Sequence, residues 1–159
     1  MKFLVILAAI LLAPLSAHAN VWTPGHGDKL EFDVLRDGGP LGHHILTFTR
    51  EGDALTVETD VSLKVTLGPI TFFEYLHDVT EKYVGGKLTW VGSRTKKDGK
   101  WKTLSAQAMA GGVKVTGEAF KGTLSGRVIP SSHWTQDEMK QAAMVSTETG
   151  EMLRRKVTD

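Results

Sequence analysis

His77 and Glu81 stand four residues apart in "ITFFEYLHDVTEKYV" (70–84). On a strand that spacing puts both on one face, together with Tyr75, Val79 and Tyr83. An imidazole and a carboxylate among aromatics suit two kinds of chemistry. One is proton transfer in a hydrolase or a metal-assisted enzyme. The other is a polar anchor inside a largely apolar pocket, the usual construction of a small-ligand site. A third reading is structural: surface neighbours, or a hydrogen-bonded pair closing a barrel mouth. Arg94, in "SRT", is a further polar lining group or a solvated strand charge. His44 and Trp134 complete the expected ligand-binding set of Tyr75, His77, Glu81, Arg94, His44 and Trp134.

A second stretch, "IPSSHWTQDEMKQAAM" (129–144), sets a serine beside a histidine. It lacks the G-x-S-x-G turn that presents a nucleophile, and no third partner stands at a recognisable spacing. Its spacing predicts a helix start instead. Thr135 and Glu138 form a T-x-x-E capping box, and Trp134 and Met139 occupy the positions of a hydrophobic staple. Asp137 and Glu138 fall in the first turn, where the helix dipole favours negative charge. Six histidines raise the question of a metal. His18 precedes the expected mature chain, His26 lies in a Gly-Pro-rich segment, and adjacent His43 and His44 face opposite ways on a strand. His44, His77 and His133 remain as a set, without the local spacing of a zinc motif. The expectation is no metal and no cofactor, and neither "GGPLG" nor "GGVKVTG" has the lysine of a phosphate loop.

The elements that position these residues read as strands. In "ALTVETDVSLKVTL" (54–67), Leu55, Val57, Val61, Leu63, Val65 and Leu67 fall on one face, interrupted only by Thr59. Polar residues fill the other face, so one side is dry and one wet. Seven further strands follow the same scheme: 29–36, 43–50, 70–84, 87–96, 100–109, 113–120 and 123–129. Turn residues separate them, "DGGPLG", Glu51-Gly52-Asp53, Gly68-Pro69, Gly85-Gly86 and Asp98-Gly99 among them. The connections leave no room for the crossover helices of a parallel sheet. The predicted fold is mainly β. It is a single antiparallel up-and-down sheet of about nine long strands, rolled into a barrel or half-open barrel. One short helix stands near the C-terminus, and the ninth strand follows Gly150. A lipid-facing barrel does not fit, because the wet face carries Glu58, Asp60 and Lys64.

The first residues, "MKFLVILAAILLAPLSAHAN", have Lys2, an apolar run from Phe3 to Leu12, and an Ala17-His18-Ala19 cleavage pattern. They predict an exported chain cut between Ala19 and Asn20, residing in the periplasm or secreted, with 20–159 as one domain. The apolar run is about half the roughly 20 residues of a spanning helix. Nothing after it is long or apolar enough to span, so no membrane helix is expected once the leader is removed. Without Lys2 the chain has 18 basic and 18 acidic residues, a balance that argues against nucleic acid as a partner. There is no cysteine. That excludes a lipid-modified lipoprotein and disulfides, so the core and the sheet ladder must supply the stability.

Three pieces carry a family resemblance: "GPLGHHILTF" (39–48), "FEYLHDVTEKYVGGKLTWVGSRTKKDG" (73–99) and "IPSSHWTQDEM" (129–139). From about Leu30 to the C-terminus the chain resembles a bacterial family of exported, all-β domains of unknown function. The matching positions include Tyr75, His77, Glu81, Gly86, Leu88, Ser93-Arg94-Thr95 and Asp98-Gly99. It departs from the pattern at His133 and Thr135, where tyrosine and asparagine are expected, so no role for His133 is implied. The resemblance implies an exported β-barrel-like domain and brings no activity. With no nucleophile, cofactor loop or metal spacing, the sequence favours a non-enzymatic binding or accessory protein for an apolar or amphipathic small molecule such as a lipid. An enzyme using His77 and Glu81 is the alternative, and an envelope module that pairs along a sheet edge is a third.

Overall fold

The computed structural model describes residues 22–135 and 143–154. Eight strands form one antiparallel sheet in chain order: β1 (Lys29–Arg36), β2 (Gly39–Glu51), β3 (Ala54–Leu67), β4 (Ile70–Val84), β5 (Lys87–Lys97), β6 (Lys100–Met109), β7 (Gly112–Thr116) and β8 (Lys121–Ser125). Every neighbour in sequence is a neighbour in the sheet, as hairpin-length connections require. A separate two-stranded ribbon, β9 (Ala143–Val145) with β10 (Met152–Arg154), follows. A parallel bridge between Pro130 and Val145 ties it to the segment leaving β8.

Alternation decides which face is dry. Register aligns Phe48, Val57, Glu81, Val91, Ala106 and Val115 in one row across six strands. The next row holds Leu46, Thr59, Val79, Ser93 and Leu104. Two clusters cover this face. Val79, Val91, Leu104, Ala106, Val113 and Val115 pack with Val145, Val128 and Met152 from the C-terminal segment. Leu46, Phe48, Leu55 and Val57 pack with Tyr83 and Trp134. One sheet face cannot exclude water from itself, so the C-terminal segment is its second layer.

Three expectations need correction. The sheet is not closed into a barrel: β1 and β8 are its two edges and do not pair. Its open face is covered by residues after β8 instead of by its own far edge. The ninth strand does not join the sheet, because β10 is three residues long and pairs with β9. No helix occurs among the described residues. Trp134 and Thr135 lie in irregular backbone, with Trp134 used to anchor the segment on the sheet. Residues 136–142, on which Glu138 and Met139 would continue a helix, lie outside the described ones. No helix among the described residues is long and apolar enough to cross a membrane.

Candidate functional site

Glu81 is the centre of the first of two polar networks on the inner face. Its row neighbours on β3 and β5 are Val57 and Val91, and none of its surface reaches solvent. A carboxylate so placed needs donors, since burying it without them is costly. The Tyr83 hydroxyl, two residues along the strand on the same face, donates to Oε2. The Trp134 indole N–H donates to the same oxygen at 3.1 Å. Trp134 also meets Phe48 and Tyr83 edge-on, with centroids at 5.6 and 5.7 Å. One buried acceptor and two ring faces thus fix where the C-terminal segment crosses β2–β4.

Beside this anchor lies a cavity of about 210 Å³. Trp22, Leu55, Tyr83, Leu88, Val128 and Trp134 supply its apolar wall, and Arg50, Arg127 and Asp53 are the charged residues lining it. Arg50 is held by its Nε–H, which donates to the Pro24 carbonyl at 2.9 Å. Trp22 stands edge-on to Phe48 at 5.2 Å.

The second network surrounds His77, four residues back along β4. Its Nδ1 lies 2.7 Å from Thr95 Oγ1 and its Nε2 3.1 Å from Thr147 Oγ1. Both ring nitrogens are therefore engaged by threonine hydroxyls, one from β5 and one from the C-terminal segment. The Ser93 hydroxyl donates to the Thr147 carbonyl, closing the same contact. A cavity of about 260 Å³ opens here, lined by His44, Thr59, Tyr75, His77, His133 and Glu148 among others. Thr59 Oγ1 and His44 Nε2 are buried at its wall without a protein hydrogen-bond partner.

Electrostatics follow from burial. Desolvation lowers the His77 pKa, with His44 adding to the fall and Glu148 opposing it. Desolvation also lowers that of His44, helped by His133. Burial first, then the adjacent Glu148 carboxylate, pushes the Tyr75 hydroxyl up to about 12. Both imidazoles are thus biased toward the neutral form, in which each ring has one donor and one acceptor nitrogen. Among the described residues, no group of three or more His, Asp or Glu side chains is placed to hold a metal.

Residues 32–159 match a domain of unknown function, DUF6134. The chain belongs to the DUF6134 family. No curated protein and no solved structure matches it. The DUF6134 match runs from β1 to the end of the chain and takes in both polar networks, while Trp22 and Pro24 lie outside it.

In this DUF6134 chain the six residues singled out from sequence do not form one site. His44, Tyr75 and His77 line the second cavity. Glu81 and Trp134 bond to each other beside the first. The described partners of His77 and Glu81 belong to separate networks, with Val79 between, so they do not act as one reacting pair. Arg94 is on the opposite face, its guanidinium stacked on Trp101 at 3.8 Å. Sequence reasoning missed Thr147 and Glu148, which arrive from "STETGE", where no periodicity marks a facing side. It also missed Thr59 and Thr95, whose hydroxyls matter only once the register sets them beside the histidines.

Proposed function

We propose that this protein is an exported, non-enzymatic binding protein. It takes an amphipathic small molecule with an acidic head in the cavity beside Trp134. The observation that carries the reading is the lining itself: Trp22, Leu55, Tyr83, Leu88, Val128 and Trp134 with two guanidinium groups and one carboxylate. Aromatic and aliphatic walls with a few convergent polar groups are the common pattern of small-ligand sites. Guanidinium donors at the wall, Arg50 among them, suit an acidic head group. At about 210 Å³ the cavity is smaller than the roughly 300–1,000 Å³ of drug-sized sites, which favours a short chain or one end of a longer one.

The test is thermal unfolding with a series of straight-chain carboxylates, of which decanoate is one, beside the matching alcohols. A ligand that binds only the folded chain raises the melting temperature with its concentration. Carboxylates should do so more than alcohols, and filling the cavity through Val128→Phe should abolish the shift. No shift across the series, or a shift unchanged in Val128→Phe, removes the reading. Export rests on the leader pattern ending at Ala19. Intact-mass measurement of protein recovered from the cell envelope should give a chain beginning at Asn20, and a species retaining Met1 refutes it.

A further inference from the structure

The hairpin joining β3 and β4 outruns its neighbours. The β2 ladder ends at Gly42↔Leu63, and the β5 ladder starts at Tyr75↔Lys97. Residues 64–74 therefore pair only with each other, through Val65↔Phe73, Thr66↔Thr71 and Leu67↔Ile70. Four residues of β3 and five of β4 beyond the last shared bonds make a two-stranded arm roughly 13 Å long. A shift in register between Val65 and Thr66 leaves Phe72 without a cross-strand partner, and such a bulge re-aims the side chain it carries.

A solvated arm would be polar at its tip. This one is apolar: Leu67 is 70% exposed, Ile70 58% and Phe72 63%. Polar residues at the tip are confined to Thr66 and Thr71. Cations gather at the same end of the sheet. Lys64 is on the arm, Arg36 on the β1–β2 hairpin, and Lys96, Lys97 and Lys100 flank the β5–β6 turn. Glu74 binds Lys96 and Asp37 lies 3.8 Å from Arg36. Glu74 also faces Lys64 across the ladder and feels its charge. With Asp98 in the β5–β6 turn, these hairpin ends hold three carboxylates, Glu74, Asp37 and Asp98, against five cations, Arg36, Lys64, Lys96, Lys97 and Lys100. The opposite end has two carboxylates, Glu51 and Asp53, beside Arg50 and Lys87 at its turns, and its exposed apolar residues, Val84 and Met109, are on separate hairpins.

We infer that this arm is a membrane-docking finger for an anionic bilayer surface: Leu67, Ile70 and Phe72 enter the headgroup boundary, and Lys64, Lys97 and Lys100 meet lipid phosphates. Charge complementarity selects the occupant. An apolar tip backed by an excess of cations over carboxylates fits a surface that is hydrocarbon below and negative above. The open backbone edges of residues 64–67 limit the depth. In hydrocarbon those groups would go unsatisfied, so only side chains enter and the ribbon stays among hydrated headgroups. Three exposed apolar side chains at the end of a two-stranded arm give a protein partner little area to bury. The arm is at the far end of the sheet from the cavity beside Trp134, so the two proposals stand or fall separately.

The test is co-sedimentation of the protein, as processed by the expressing cells, with vesicles of phosphatidylcholine alone or mixed with phosphatidylglycerol. Binding should appear with the mixed vesicles, weaken with added salt, and be lower by at least about tenfold on phosphatidylcholine alone. Leu67→Ser/Ile70→Ser/Phe72→Ser should lose at least about tenfold in binding, and Lys64→Glu/Lys97→Glu/Lys100→Glu should lose the preference for anionic lipid. Any other part of the chain that binds lipid does so equally in all three proteins, so the differences report the arm. Each variant is checked by its melting temperature, which exposed positions should leave in place. The absence of cysteine allows a second readout that needs no triple variant. A fluorophore on Leu67→Cys should brighten and shift to the blue with mixed vesicles. No vesicle binding, a triple serine variant that binds unchanged, or an unaltered fluorophore overturns the proposal. So does self-association without lipid that the triple serine variant abolishes, which would make a second copy the occupant.

Discussion

At the scale of single residues, His77 is the group whose chemistry the fold most alters. It is 8% exposed, and its pKa is lowered by burial and by His44, against the pull of Glu148. Tyr75, at a ring distance of 5.9 Å, and His133 also face this site. An unfolded histidine takes up its proton near pH 6.5, while folded His77 resists until the pH is lower. The unfolded state therefore binds more protons in that interval, so stability is full above about pH 6.5 and falls as the solution is acidified below it. His44 acts with the same sign. The melting temperature should be steady from about pH 8 to 7 and drop toward pH 5, with a shallower acid limb in His77→Gln. Identical limbs in the two proteins would show that His77 titrates as it does when unfolded. The face shared by Tyr75, His77 and Glu81 was legible from period two alone. Arg94 was not, and the reason is local. Counted from inward Leu88, strict alternation turns Arg94 inward. The ladder instead pairs Tyr83 with Leu88 and Lys82 with Trp90, so Thr89 is an extra residue. That shift flips the phase, burying Val91 and Thr95 and sending Arg94 out. Bulges leave no mark in a pattern of apolar and polar letters.

At the scale of elements, β1, β3, β4 and β6 have the bounds that turn residues and alternation gave them. The N-terminal end of β2 does not. "DGGPLG" reads as a six-residue turn, yet only Asp37 and Gly38, both at positive φ, make the turn, and Gly39–Gly42 belong to the strand. Gly42 explains the composition. A Cβ at this position would lie 1.9 Å from the Ser62 carbonyl oxygen and 2.9 Å from Leu63 Cα, both backbone atoms of β3. The glycine is therefore there for close approach, at the last shared pair before the β3–β4 arm leaves the sheet. Backbone cannot swing aside as a long side chain can. Gly42→Ala should cost about 1–3 kcal/mol by forcing β2 from β3, as overpacking does in cores. Denaturant titration reads that cost, and Gly38→Ala is the comparison. Gly38 has open space and a φ of 79°, so its cost comes from backbone strain alone, of order 1 kcal/mol. A Gly42→Ala variant as stable as wild type would mean that β2 and β3 are not held this close.

At the scale of the whole molecule, the sheet and its cover have to be considered together. A single twisted layer leaves Val91, Leu104, Ala106, Val113 and Val115 open on one side, and rolling the sheet shut was the expected remedy. The observed remedy is a segment that returns across the face. The Val145 N–H donates to the Ile129 carbonyl and the Ser131 N–H to the Val145 carbonyl, so its two passes brace each other. Val128 and Met152 then pack on one cluster and Trp134 on the other. Each pass also reaches a polar residue of the sheet: Trp134 bonds to Glu81 and Thr147 to His77. His77 and Glu81, expected from sequence as one candidate site, are thus two separate seams between the layers. Sequence could not show this, because a cover made of irregular backbone and three-residue strands has no period to read. If the second layer is required, a chain ending at Gly126 should lose its cooperative melt. It should also bind a hydrophobic dye and self-associate, since an apolar face this large does not stay exposed on a monomer. Calorimetry and sedimentation of that truncated chain beside the full one decide the matter. A monomeric fragment with a sharp transition would mean that the eight strands hold their own core, leaving the segment free to act as a removable cover over both cavities.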